Sequence, residues 1–309
     1  MKKIILAFST ALLLSGSLKV LASGDPLIEK KKTVSKSYPL GSGDRITLDN
    51  QFGEMKINTW DKNEVKVDIT IIGKSSTEER AQEILDRISI EDGKNSDGVY
   101  FRTKMNQSGN EGKKGNKNYK EEGMEINYMV YMPASAPLTA KNQFGPMIVP
   151  DLKGPVDLES KFGSLTAGKL SNVKELDVEF GKADIEWINN GKVTVKFSKA
   201  SLGKLSGDME AHFEFCDAVD IKLDNSIKQL NLKASYSTVE IELTREISAS
   251  FDIKTSFGDL NNKTAFGFKE EGDDDDRRGP KFDKQYYGTA GAGAAKIKIK
   301  SDFGKVKLM

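Results

Sequence analysis

Apolar and polar positions alternate with period two along most of this chain, and the phase of the alternation slips by one residue at regular intervals. Before Phe180, Leu176 and Val178 alternate with Asp177 and Glu179; after Gly181 the apolar set becomes Ala183, Ile185 and Trp187. A strand turns successive side chains to opposite faces, so a one-residue slip marks a bend or bulge, here at the Gly. Each unit is therefore read as two short strands meeting at a corner, with one apolar face inward. The corner recurs. Phe144-Gly145, Phe162-Gly163 and Phe180-Gly181 lie 18 residues apart, and Phe197-Ser198, Phe215-Cys216, Tyr236-Ser237 and Phe257-Gly258 follow at spacings of 17, 18, 21 and 21. Phe52-Gly53 and Phe303-Gly304 fit the same frame, and Asn50-Gln51-Phe52-Gly53 reappears as Asn142-Gln143-Phe144-Gly145. A fixed period of this size marks stacked repeats. Hairpins would need a turn signal between every two strands, whereas here one corner type returns once per rung. The expected fold is all-β: a parallel β-solenoid of short two-strand rungs.

The corner aromatics sit in phase with the inward Leu and Val, so they are expected to stack inside as the core. A carbohydrate-stacking role would need them exposed. The residue after each aromatic is Gly, Ser or Cys, which points to a demand for small size where stacked backbones turn tightly rather than to a strict positive φ. Cys216 is read as a small filler, because Phe215 and Asp217 offer no cation to activate a thiol. Parallel stacking also predicts outward columns. Lys161, Glu179, Lys196 and Glu214, just before the aromatics, alternate in sign. Three positions before runs Glu159, Asp177, Thr194, His212, Lys233, Lys254, which places His212 between Thr194 and Lys233 as a solvated residue.

The flanks depart from the repeat. Residues 23–40 are polar and Lys-rich and read as a linker. Residues 41–137 read as a strand and helix lead-in packed on the solenoid, which occupies 138–261. The lead-in contains one helix, Ser76 to Ile88, opened by the capping box Ser76-x-x-Glu79 and buried along Ala81, Ile84, Leu85 and Ile88. Residues 105–123 read as a Gly- and Asn-rich loop. Residues 262–295 read as a long charged, Gly-rich loop, and 296–309 as the closing rung.

Residues 1–22 have the form of an export signal: Lys2 and Lys3, an apolar stretch from Ile4 to Leu14, and a small-residue site at Val20-Leu21-Ala22. Its loss would take Lys2, Lys3 and Lys19 from the 47 basic residues and leave all 46 acidic ones. So balanced a charge gives no electrostatic case for nucleic acid. No later apolar run is long enough for a transmembrane helix. Cys216 and His212 are the only Cys and His, so no intrachain disulfide can form. No nucleophile elbow, phosphate loop or metal-spaced His/Cys set is present. Asp273 to Asp276 lack the alternate-residue spacing of a Ca²⁺ loop and read as a solvated run. Residues 138–260 contain one arginine, Arg245. No catalytic, cofactor-binding or metal-ligating residue is expected, and neither is a cofactor. The alternative, a polysaccharide-active β-helix enzyme, would call for longer rungs and an exposed cluster of acids with Arg or Lys.

The N-terminal signal, the strand-helix-strand lead-in and the tandem rungs resemble the bacterial "putative adhesin" domain families of unknown function, including the head-GIN type of Bacteroidetes. The segment Gly291-Ala292-Gly293-Ala294-Ala295 leading into Lys296-Ile297-Lys298-Ile299 resembles their closing rung. The resemblance covers roughly residues 40–309. It implies a right-handed β-solenoid exported to the periplasm or cell surface, a non-enzymatic structural or interaction role, and an envelope, protein or glycan partner.

Overall fold

The computed structural model describes residues 27–106, 122–271 and 282–309. The export signal, most of the 105–123 loop and the Asp273–Asp276 run lie outside these residues. Among the described residues the protein is all-β with one helix, and 22 strands join one nearly closed sheet. From Leu138 to Ser235, each strand before a corner pairs in parallel with an equivalent strand on either side. Val156–Lys161 lies between Leu138–Gln143 and the strand Val173–Glu179, so that Glu159 faces Lys141 on one side and Asp177 on the other. The strands after the corners pair in parallel as well, with Leu165 between Met147 and Ala183. Thr194, His212 and Lys233 stand in register, as the outward column requires.

The inward positions form apolar columns. Leu158, Leu176, Val193, Ala211, Leu232 and Ile299 are all within 2% of full burial, and they follow one another across the register. Fully burying such side chains is worth about 1.5–3 kcal/mol each, so these columns hold the rungs together. Trp187 is only half-buried, and Ile188 takes the interior place.

Two buried asparagines explain the repeated Asn-Gln-Phe-Gly sequence. Asn50 donates to the Asn142 Oδ1 at 3.0 Å and to the Ile126 carbonyl at 2.9 Å. Asn142 donates to the corner carbonyls of Gly53 and Gly145, each at 3.0 Å. Thr103 donates to Asn50 and lies 3.0 Å from the Tyr128 hydroxyl, whose pKa burial drives upward. Buried amides left without partners would be costly; here the network satisfies them.

Several expectations are corrected. The 23–40 segment is not a linker throughout: Ile28–Pro39 is a strand, antiparallel to Glu64–Ser75. Its lysines suit the exposed face of an edge strand. The helix spans Glu78–Asp86, and its N-cap is Thr77, not Ser76; the Thr77 hydroxyl accepts from the Arg80 amide. Ala81, Ile84 and Leu85 are buried as expected, while Ile88 is buried from the next strand. The 262–295 segment is not a loop alone. Asp283–Ala290 runs antiparallel to Ala249–Ser256, and Phe268–Glu270 pairs beyond it. Finally, the tail strands Ala295–Asp302 and Lys305–Leu308 do not cap the end of the stack. They insert between the Tyr236 rung and the Phe257 rung, pairing in parallel with both. Among the described residues no helix is long and apolar enough to cross a membrane.

Candidate interaction surface

The corner aromatics are not core. Phe52, Phe144, Phe162, Phe180, Phe197, Phe215, Tyr236, Phe257 and Phe303 all have φ between 49° and 63°, and the eight that stand out as exposed range from 44% for Phe215 to 55% for Phe257, with Phe52 half-buried. The period-two rule holds only while the backbone stays extended. A left-handed residue at the corner breaks the phase and throws its side chain outward, so the aromatic, not the following Gly, carries the unusual dihedral.

The small residue after it answers a different demand. A Cβ added at Gly163 would lie 2.0 Å from the Gly145 carbonyl oxygen, and one at Gly181 would lie 1.7 Å from that of Gly163. Close rung-on-rung approach therefore selects for small size, and neither glycine has a positive φ. Where serine replaces glycine, its hydroxyl joins the stack. Ser198 Oγ accepts from the Gly181 amide at 2.8 Å and donates to the Lys196 carbonyl at 2.7 Å; Ser237 Oγ accepts from the Cys216 amide at 3.0 Å. Cys216 is 1% exposed with its sulfur 3.2 Å from the Val195 carbonyl, and burial pushes its thiol pKa up. It fills space.

The outward rings form one continuous ladder. Phe52, Phe144, Phe162, Phe180, Phe197, Phe215, Tyr236, Phe303 and Phe257 follow in that spatial order, with centroids 4.8–5.0 Å apart and planes within 7° of parallel. Phe282 extends the far end at 4.9 Å and 24°. The centroid spacing is that of neighbouring strands, so the sheet itself sets it. Near-parallel rings at that distance are offset rather than eclipsed, and each such pair is worth about 0.5–1.5 kcal/mol.

Ring faces are covered by neighbouring rings and the edges point to solvent. Ion pairs run alongside: Lys161–Glu179 at 3.7 Å and Lys196–Glu214 at 3.9 Å. His212 lies one column further in the same sheet, its Nε2 2.8 Å from Glu210 Oε1, and it approaches no second histidine. Among the described residues no group of three or more His, Cys, Asp or Glu side chains is placed to hold a metal ion.

A sequence signal for the ladder was present. All nine corners carry Phe or Tyr, whereas the interior columns interchange Leu, Val, Ala and Ile. Packing alone would admit aliphatic residues at some corners.

No family model and no curated protein matches the chain. Solved structures do. A "putative adhesin" from Bacteroides fragilis covers 90% of this chain and 97% of its own, with 10% identity and a TM-score of 0.42. A "putative cell adhesion protein" from Clostridium sporogenes covers 90% and 99%, with 14% identity and a TM-score of 0.28. A "putative lipid binding protein" from Parabacteroides distasonis covers 90% and 96%, with 12% identity and a TM-score of 0.32. This chain is similar to all three.

Proposed function

We propose that the chain is an exported, non-enzymatic, adhesin-like interaction protein, a right-handed parallel β-solenoid of the periplasm or cell surface whose aromatic ladder is the contact face. The observation that carries the reading is the ladder's exposure. Nine rings of about 150–250 Å² each, roughly half uncovered, leave on the order of 900 Å² of apolar surface in one straight strip. The largest patch on an ordinary monomer is about 300–600 Å², and a larger one marks a site of association.

The geometry narrows the partner. Sugars stack on ring faces, and here those faces are occupied by the next ring except at the ladder ends. The exposed edges carry the positive rim of the ring quadrupole, which suits the electron-rich faces of aromatic side chains. The partner that fits is a protein presenting an apolar, aromatic strip. Export rests on the basic, apolar and small-residue pattern of residues 1–22.

The test is adsorption of the purified chain, by surface plasmon resonance, to a phenyl-terminated and a hydroxyl-terminated surface. Replacing Phe144, Phe180 and Phe215 by Ser should abolish the preference for the phenyl surface while the far-UV spectrum is unchanged. Equal adsorption by both proteins would overturn the ladder as contact face, and cell fractionation tests the location.

A further inference from the structure

We infer a second binding site, for an anionic polysaccharide, on the outer face of the sheet where the tail strand inserts. In that region Lys233, Lys300 and Lys254 stand side by side on three adjacent strands. They are about 4.7–4.9 Å apart from strand to strand. The same inserted strand adds Lys298, flanked in register by Asn231 and Asp252, and Lys296, flanked by Gln229 and Ser250. All five lysines are exposed. Gln285, opposite Lys254 on the antiparallel neighbour, closes one side. Asn231, Lys233, Asp252, Lys254, Gln285, Lys298 and Lys300 line a shallow open depression of about 260 Å³.

The cluster departs from the charge pattern of the rest of this face. Elsewhere on this face lysines meet carboxylates: Lys141 lies 2.6 Å and Lys161 3.0 Å from Glu159, and Lys192 lies 2.9 Å from Glu175. At the tail insertion the carboxylates are Asp302, 3.1 Å from Lys300, and Asp252, which already accepts from the Gln285 amide at 2.9 Å. Among the described residues no carboxylate lies within ion-pair distance of Lys233, Lys254, Lys296 or Lys298. Like charges directly opposite on neighbouring strands repel. The tail strand brings two further lysines, Lys298 and Lys300, into the space between Asn231-x-Lys233 and Asp252-x-Lys254, so the inserted segment creates the repulsion. A bound row of anions relieves it.

The lining chooses the ligand class. Asn231 and Gln285 supply amide donors and acceptors that match hydroxyl groups. Tyr287, directly opposite Asp252 and 45% exposed, offers a ring at the border. Hydroxyls, repeated negative charge and an open flat floor together describe a sulfated or uronic-acid polysaccharide. The site is separate from the aromatic ladder and does not depend on the role proposed for it.

The experiment titrates the full chain with low-mass dextran sulfate and with uncharged dextran of the same size, over a series of salt concentrations. The wild-type protein is expected to bind the sulfated polymer alone. The triple variant Lys233→Gln, Lys254→Gln and Lys300→Gln should raise Kd at least tenfold and lower the slope of log K against log salt by about two, because each lost contact releases about 0.7–0.9 fewer counterions. A charge-matched control, Lys153→Gln, Lys204→Gln and Lys263→Gln, should bind as wild type. Melting curves of both variants without polymer establish that they fold; the first is expected to be at least as stable as wild type, because repulsion is removed. Equal loss in the two variants, unchanged binding in the first, or equal binding of uncharged dextran would overturn the site. Tighter binding to anionic phospholipid vesicles or to a DNA duplex than to dextran sulfate would overturn the ligand class.

Discussion

Substituting Phe180 separates a left-handed corner from an ordinary buried strand position, because the two differ in the sign of one comparison. Phe180 is 47% exposed, so of the 150–250 Å² of an aromatic side chain about 100 Å² is covered. At about 25 cal/mol per Å² that cover is worth at most about 2.5 kcal/mol, part of which alanine retains. Alanine also loses two ring contacts, to Phe162 at 5.0 Å and to Phe197 at 4.8 Å, each worth about 0.5–1.5 kcal/mol. Phe180→Ala is therefore expected to cost about 2–3 kcal/mol.

Phe180→Gly loses the same contacts. In an extended strand glycine would cost a further 0.5–1 kcal/mol or so through backbone entropy. At a φ of 55° an L-residue bears about 1–2 kcal/mol of strain that glycine does not. The glycine variant should accordingly be about 0.5–1 kcal/mol more stable than the alanine variant. Equilibrium urea denaturation, followed by far-UV circular dichroism and tryptophan fluorescence, reads both. A glycine variant less stable than the alanine variant would mean that the corner is not a left-handed position held by the aromatic residue.

Three further outcomes follow from particular contacts. Gly163→Val should cost about 1–3 kcal/mol by forcing the Gly145 carbonyl away, while Gly163→Ser should cost less, because a hydroxyl there can take the neighbouring rung's amide as Ser198 does; urea midpoints compare them. Asp177 has its pKa raised, mainly by burial and then by Glu179, with Glu159 adding to it and Lys161 and Lys196 opposing, and its Oδ1 is buried without a hydrogen-bond partner. A raised carboxyl pKa gives stability that is present in acid and lost as pH rises through the folded value. Asp177→Asn should therefore melt higher than wild type at pH 7 and level with it near pH 3, and a lower melting point at pH 7 would contradict this. Truncation before Ala295 should uncouple Ala249–Ala290 from the stack, read as early proteolysis within that segment while the rungs before Tyr236 stay protected.

Much of the fold was legible in the residues. The all-β class, the regular return of an aromatic corner and the Thr194–His212–Lys233 register need only period-two alternation and a fixed interval. Residues remote in sequence but adjacent in space were harder. The insertion of Lys296–Leu308 between the Tyr236 and Phe257 rungs leaves no mark on either interval, and it changes Lys233's neighbour from Lys254 to Lys300. The strand Ile28–Pro39 escaped because an edge strand with a solvated face carries lysines where a buried one would carry Val or Ile. The ladder's direction cannot be read from parity, because parity does not carry through a corner at which φ changes sign. The uniform aromatic identity of nine corners is the clue that parity overrode.

Nine rings in a continuous, solvent-facing strip should take up a flat aromatic ligand along their length. Titration of the folded chain with thioflavin T, a flat aromatic dye, reads that uptake. Saturable fluorescence enhancement by the wild-type chain, lost when Phe144, Phe180 and Phe215 are replaced by Ser without loss of the β-sheet spectrum, is the predicted result. No enhancement, or enhancement that survives those substitutions, would contradict it.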